Sequence, residues 1–326
     1  MPADFWTVTV GMLTAGAIVA AVAVPVSLVA WAMAGRRRGL CAKVAPWRVP
    51  WGGFELIAAF VVLISLPALF APADASEQRK LEAGVLTLPV QLGLLVLAWR
   101  VLYPRWKPFT ASRSYAGLLA FAVLAWLILT SVVFLFHAAV LQAFAAFDVT
   151  PETHPLTKFD GQPFAEQLCF LLQACVAAPF VEELLFRGLL LPWAIGARER
   201  TPGGFGASEP LAPVFLRPWL VMGMAVFFAA GTGKPGPMIF AGALGLGLAV
   251  VWVTLRHGKR HWRGVYASAA LFATFHSSVW PSPIPLFVLG VGLGWLAMRT
   301  RGVFVPVIVH GLFNAVSAVF VLRGAG

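Results

Sequence analysis

The feature that most constrains this chain is a succession of apolar runs, each long enough to cross a lipid bilayer and parted from the next by a short polar loop. A membrane-spanning helix needs about 20 apolar residues. On that criterion spans fall near 5–34, 51–72, 83–103, 115–147, 164–196, 215–231, 237–256, 264–280, 283–299 and 303–322. Hydrophobic residues make up 60% of the chain and charged residues 11%, against roughly a quarter charged in soluble domains. A soluble surface cannot be built from that mixture, which excludes soluble enzymes, disordered segments and exposed nucleic-acid modules. The expected fold is all-α, a polytopic transmembrane helix bundle of about 8–10 spans. The stretch behind MPADFW reads as a retained span, because no positive n-region of a signal peptide precedes it. Cys41, Cys169 and Cys175 form neither a disulfide framework nor a metal-binding pattern.

The formal net charge of +11 would suggest a nucleic-acid partner on a soluble protein. Here the loop RRRGLCAKVAPWR has five basic and no acidic residues, and Arg100, Arg105, Lys107 and Arg113 gather around another. RHGKRHWR is purely basic, and Arg299 and Arg301 follow the ninth span. The intervening loops differ: 73–82 mixes Asp74, Glu77 and Glu82 with Arg79 and Lys80, and 148–163 sets Asp148, Glu152 and Asp160 against Lys158. Basic and non-basic loops alternate, as the positive-inside rule requires of an even-numbered bundle with both termini outside. The charge is thus a topology signal, and the lipid bilayer rather than nucleic acid is the expected partner. A bias toward Ala, Gly and Arg, with a single Asn, adds the expectation of a bacterial cytoplasmic (inner) membrane.

An ionisable side chain inside hydrocarbon costs roughly 2.5 to 3.5 kcal/mol on insertion scales, so each one within a span is a candidate for function. Glu55, Arg100, His137, Glu166 and Arg217 lie near span ends or stand singly, and snorkelling or a local hydrogen bond accounts for them. The others are concentrated. Glu182, Glu183 and Arg187 fall in the fifth span (FVEELLFRG), His276 in the eighth, and His310 with Asn314 in the tenth. Glu183 and Arg187 stand at i, i+4 in the favourable order, and the expected role of that pair is a buried ion network that fixes helix packing. Glu182 is rotated about 100° away, has no partner in its own helix, and is the carboxylate available as a general base. Counted from the cytoplasmic span ends at 1.5 Å per residue, Glu182 lies about 22 Å deep, His276 about 20 Å, Asn314 about 18 Å and His310 about 12 Å. Three helices therefore deliver a carboxylate, two imidazoles and a carboxamide to one layer.

The HExxH, GxGD and GxSxG motifs of other membrane proteases are absent. Present in order are EExxxR (Glu182, Glu183, Arg187), FxxxH (Phe272 to His276) and HxxxN (His310 to Asn314). This set resembles the CPBP family of intramembrane proteases, the type II CAAX prenyl endopeptidases and their bacterial relatives, the abortive-infection proteins. The resemblance covers roughly residues 160–320. It implies peptide-bond hydrolysis inside the membrane, with Glu182 and His276 activating a water and His310 and Asn314 bonding the oxyanion. Glu183 and Arg187 would orient Glu182, with Phe272 in the supporting set. Glu182, His276 and His310 could also hold a zinc ion with an open fourth position. The metal-free glutamate mechanism is preferred, no cofactor being required, and zinc is the alternative.

The chain divides into N-terminal transmembrane helices of unassigned role (1–150) and a catalytic helical core (151–326) with a hairpin inserted at 215–256. The expected substrate is a membrane-tethered or lipidated peptide or protein. Buried Glu, His and Arg also build proton relays, which keeps a proton-coupled transporter open, as is a non-catalytic scaffold or immunity factor. Transporters tend to show two related halves, whereas here the polar groups all sit in the second.

Overall fold

Within a bilayer every backbone N–H and C=O must find its partner inside the protein, and each described apolar run meets that demand as a helix. The structure, a computed structural model, describes residues 52–70, 77–97, 114–147, 152, 164–195, 215–254 and 261–323. Among these residues the elements are α1 (Gly53–Phe70), α2 (Glu77–Leu97), α3 (Tyr115–Ala146), α4 (164–194), α5 (Arg217–Gly231), α6 (Pro235–Thr254), α7 (His261–Phe275), α8 (Pro283–Thr300) and α9 (Phe304–Arg323). They overlap the expected spans from 51–72 onward, but α2 starts at Glu77 rather than 83 and so takes Glu77, Arg79, Lys80 and Glu82 of the expected loop into a helix, and α7 stops at Phe275 rather than 280. The expected span at 5–34 lies outside the described residues, as do Cys41, Arg100 and the side chains of Glu166 and Cys169. The fold is an all-α membrane bundle with no strand among the described residues.

By length and composition, α3, α6 and α8 can each cross a membrane. Their outward surfaces agree. Ile239, Leu246, Val250 and Val253 of α6 are exposed apolar side chains, an arrangement that a soluble monomer avoids and lipid solvates. Inside, α7 is the central element, packing on α8, α5, α6 and α4, while α9 packs on α3, α8 and α4. Along α7 the residues from Ala267 to Thr274 are all buried.

Two segments of α4 depart from the α-helix, which the apolar periodicity did not foretell. Gln173–Ala177 and Leu184–Leu190 are π-helical, flanked by α-helical Phe164–Leu172, Ala178–Glu183 and Leu191–Ala194. A π turn shifts the hydrogen-bond ladder from i+4 to i+5 and leaves carbonyls for other partners. Here such partners come from neighbouring helices: Asn314 Nδ2 donates to Ala174 O at 2.8 Å, and Ser268 Oγ to Phe186 O at 3.4 Å. Helix α9 comes so close to the first π segment that a Cβ on Gly311 would stand 2.5 Å from Cys175 O.

Two of the residues read as structural, Glu55 and Arg217, find local explanations. Glu55 accepts from the Gly52 amide at the start of α1. Arg217 donates to Trp193 O and stacks on that indole, and Arg263 does the same to Trp252. Both satisfy carbonyls near a helix C-terminus. At the opposite end, the three segments that the charge alternation puts on one side, around Glu152, Lys234 and Trp280, meet one another.

Candidate active site

Helices α4, α7 and α9 bring together most of the polar residues singled out in the sequence. Arg187 Nη1 donates to Glu183 Oε1 at 2.7 Å with both side chains at 0% exposure, and Nη2 donates to Gly290 O of α8 at 3.1 Å. The guanidinium lies 4.4 Å from the Phe272 ring centroid. The pair is therefore the buried helix-locking ion network its spacing implied. A charge in such a place persists only when paired and hydrogen-bonded.

Glu183 does more than the sequence suggested. Its Oε1 also lies 2.9 Å from His310 Nδ1, so the carboxylate that was expected to orient Glu182 is bonded to His310 and Arg187 instead. The reason is the helix itself: adjacent residues point about 100° apart, and the face that carries Glu183 meets α9. An ionised carboxylate only accepts, so Nδ1 of His310 carries its proton and Nε2 faces the other way, 3.9 Å from Glu182 Oε2. His310 is 3% exposed there and Glu182 22%.

His276 is not inside its helix. Helix α7 ends at Phe275, and His276 opens a turn over 276–282, its amide bonded to Ala273 O by an i→i−3 contact. The apolar residues after it extended the expected span to 280, but Pro281 and Pro283 cannot continue a helix ladder. His276 Nδ1 bonds the Phe272 carbonyl at 2.8 Å, which makes it the protonated nitrogen and leaves Nε2 to face Glu182 Oε2 at 3.8 Å. Phe272, fully buried, forms the floor: its ring is 4.9 Å from the His276 ring and 5.6 Å from that of His310.

Asn314 lies one turn beyond His310 on α9. One of its two Nδ2 hydrogens goes to Ala174 O, so part of its job is to close the π segment, and one N–H remains to offer. Glu182 Oε2 has no hydrogen-bond partner among the described residues although it is shielded from solvent. Separations of 3.8 and 3.9 Å are too long for direct hydrogen bonds and suit a polar atom shared between the groups. Glu182, His276 and His310 are also the donor set that could approach a metal. Tetrahedral zinc with bonds of about 2.0 to 2.2 Å sets its ligand atoms about 3.3 to 3.6 Å apart, slightly closer than these. No group of three His, Cys, Asp or Glu among the described residues is arranged to hold a metal ion.

A family model described as type II CAAX prenyl endopeptidase, Rce1-like, matches residues 164–262 and 255–316. Every residue of the three motifs lies within the matched range. No curated protein and no solved structure matches the chain.

Proposed function

Because the chain belongs, through residues 164–316, to the Rce1-like type II CAAX prenyl endopeptidase family, we propose that it is an intramembrane endopeptidase that uses Glu182 as its general base. The observation that carries this reading is the convergence on Glu182 Oε2 of two imidazole Nε2 atoms, at 3.8 and 3.9 Å, one from the turn after α7 and one from α9.

A water held in that space donates one O–H to Glu182 and the other to the His276 Nε2 lone pair. Glu182 takes the first proton as the water oxygen bonds to the scissile carbonyl carbon, and the carbonyl oxygen becomes an oxyanion. Asn314 offers its remaining N–H to that oxygen. His310, whose Nδ1–H is already committed to Glu183, donates through Nε2 when that nitrogen also holds a proton. Glu183 and Glu182 then offset Arg187 and His310, and the oxyanion takes over from Glu182 as the second negative charge once Glu182 has accepted the proton. Fixed donors in a water-poor site stabilise developing charge without reorganising. The tetrahedral intermediate then collapses, the C–N bond breaks, and Glu182 returns its proton to the leaving amine. The substrate class proposed is a membrane-tethered or lipidated peptide, since the active groups lie within a lipid-facing bundle.

The test is quantitative comparison of membrane-fraction proteins between cells carrying this chain and cells carrying Glu182→Gln. At least one membrane protein is expected to be shortened only with the parent chain; identical fragment patterns would sink the protease reading. The metal-free mechanism is tested separately, by metal content and chelator treatment of active purified protein. Less than stoichiometric zinc and unchanged hydrolysis are expected, whereas stoichiometric zinc whose removal abolishes activity overturns it.

A further inference from the structure

We propose that Glu152 and Lys234, outside the three motifs, are positioning residues that clamp the 276–282 turn and so hold His276 against Glu182. The inference rests on the protease reading for its consequence in hydrolysis, but not for its geometry.

His276 has lost the support of a helix on its C-terminal side. Within the turn only i→i−3 bonds follow it, from Val279 N to His276 O at 3.3 Å and from Ser282 N to Val279 O at 3.0 Å. The rest of the grip comes from elsewhere in the chain. The Glu152 amide donates to Trp280 O at 2.9 Å, and the Trp280 amide donates back to Glu152 Oε2 at 3.1 Å. The other carboxylate oxygen, Oε1, takes a 2.7 Å bond from Lys234 Nζ, which also reaches Ser278 O at 3.5 Å. Lys234 is fixed in turn, its amide donating to Thr232 Oγ1 at 3.2 Å.

Trp280 is the piece being held. Its ring packs against Phe144 at the end of α3 and Phe240 of α6, and lies so close to Gly236 that a Cβ there would stand 2.7 Å from it. Three connections, between α3 and α4, α5 and α6, and α7 and α8, are thus drawn together four residues from His276. A reacting group displaced by 1 Å can lose about 100-fold in rate, while an exposed ion pair such as this adds little to global stability. That combination separates a positioning role from a structural one.

The experiment uses the full chain in detergent or membranes, as Glu152→Ala, Glu152→Gln and Lys234→Arg. Two readouts are taken: the rate of diethyl pyrocarbonate modification at His276, resolved by peptide mass spectrometry, and the Glu182-dependent cleavage found above. Glu152→Ala is expected to change the His276 modification rate at least about 3-fold and to lower cleavage about 10-fold or more, within the reach of a misplaced group. Melting temperature should stay put. Glu152→Gln, which keeps an acceptor for the Trp280 amide, should fall between, and Lys234→Arg should restore parent behaviour. Parent-like His276 reactivity in Glu152→Ala overturns the clamp, as does a loss of melting temperature that accounts for the loss of cleavage. If the parent chain shows no Glu182-dependent cleavage, the protease reading fails, and the His276 reactivity alone upholds or overturns the clamp.

Discussion

Two carboxylate–cation pairs among the described residues have the same length in opposite surroundings. Arg187 and Glu183 meet at 2.7 Å with neither side chain exposed, while Lys234 and Glu152 meet at 2.7 Å with side chains 41% and 37% exposed. Distance alone therefore says nothing about what each contributes. The inner pair is committed: each member has a further partner, His310 for Glu183 and Gly290 O for Arg187, and removing either strands a charge in a medium that cannot solvate it. The outer pair can be broken and replaced by water at little cost. Its value lies in the two backbone contacts it makes with the turn after His276. One pair secures the fold, and the other secures a position.

The strongest way to break that comparison is to attack the inner pair. Arg187→Ala leaves Glu183 unpaired and is expected to cost about 3 to 5 kcal/mol, the range for removing one partner of a buried ion pair. The measure is yield of folded protein and thermal unfolding in detergent. Glu182→Gln is the counterpart, since Glu182 makes no direct hydrogen bond through Oε2. It should leave unfolding unchanged while hydrolysis falls roughly 10²- to 10⁴-fold, the worth of a general base. Equal losses of folded protein in both variants would make Glu182 part of the same structural network and remove its separate role.

A smaller effect is expected at the contact that seats α9. Gly311→Ala places a methyl group 2.5 Å from Cys175 O, which only a shift of α9 relative to the first π segment of α4 can relieve. Overpacking of that kind costs about 1 to 3 kcal/mol, and the same movement draws His310 and Asn314 away from α4. Loss of cleavage should therefore exceed what the fall in melting temperature explains. An alanine at 311 that is neutral in both measurements would show that the close approach is not what sets the register of α9.

How much of this was legible beforehand follows the strength of each physical signal. Span positions were readable because lipid allows no other solution for long apolar runs. The Glu183–Arg187 pair was readable because i, i+4 spacing is local. The convergence of Glu182, His276 and His310 came from depth counting plus three motifs. What stayed hidden depends on contacts between helices or on small departures from ideal geometry. The π segments of α4 leave no trace in hydrophobic periodicity, so the bond from Asn314 to Ala174 O could not be foreseen. The Glu183–His310 bond depends on which face of α4 meets α9. Glu152 counts in the sequence only among the loop charges that set topology, and Lys234, 82 residues away, belongs to no motif.

The mildest prediction concerns pH and uses the one contrast that environment creates between the two pairs. Partial burial acts to push the Glu152 carboxyl upward, but the hydrogen bond and charge of Lys234 and the Trp280 amide outweigh it and hold the group below its ordinary value of 4.5. A carboxyl lowered in the folded state contributes stability that is fully present above the ordinary value and is lost as pH falls through the lowered one. Exposure and salt screening keep that contribution under about 1 kcal/mol, so only a local probe will register it. The suitable probe is hydrogen exchange at the Trp280 amide, which donates to Glu152 Oε2. Its protection factor should fall at most about 5-fold on acidification below pH 4, and by a similar amount in 1 M salt, where the screening length is about 3 Å. In Glu152→Gln both dependences should vanish. Protection at Trp280 that ignores pH and salt in the parent chain would mean that the carboxylate does not hold the turn, and that the packing of the indole between Phe144 and Phe240 is sufficient by itself.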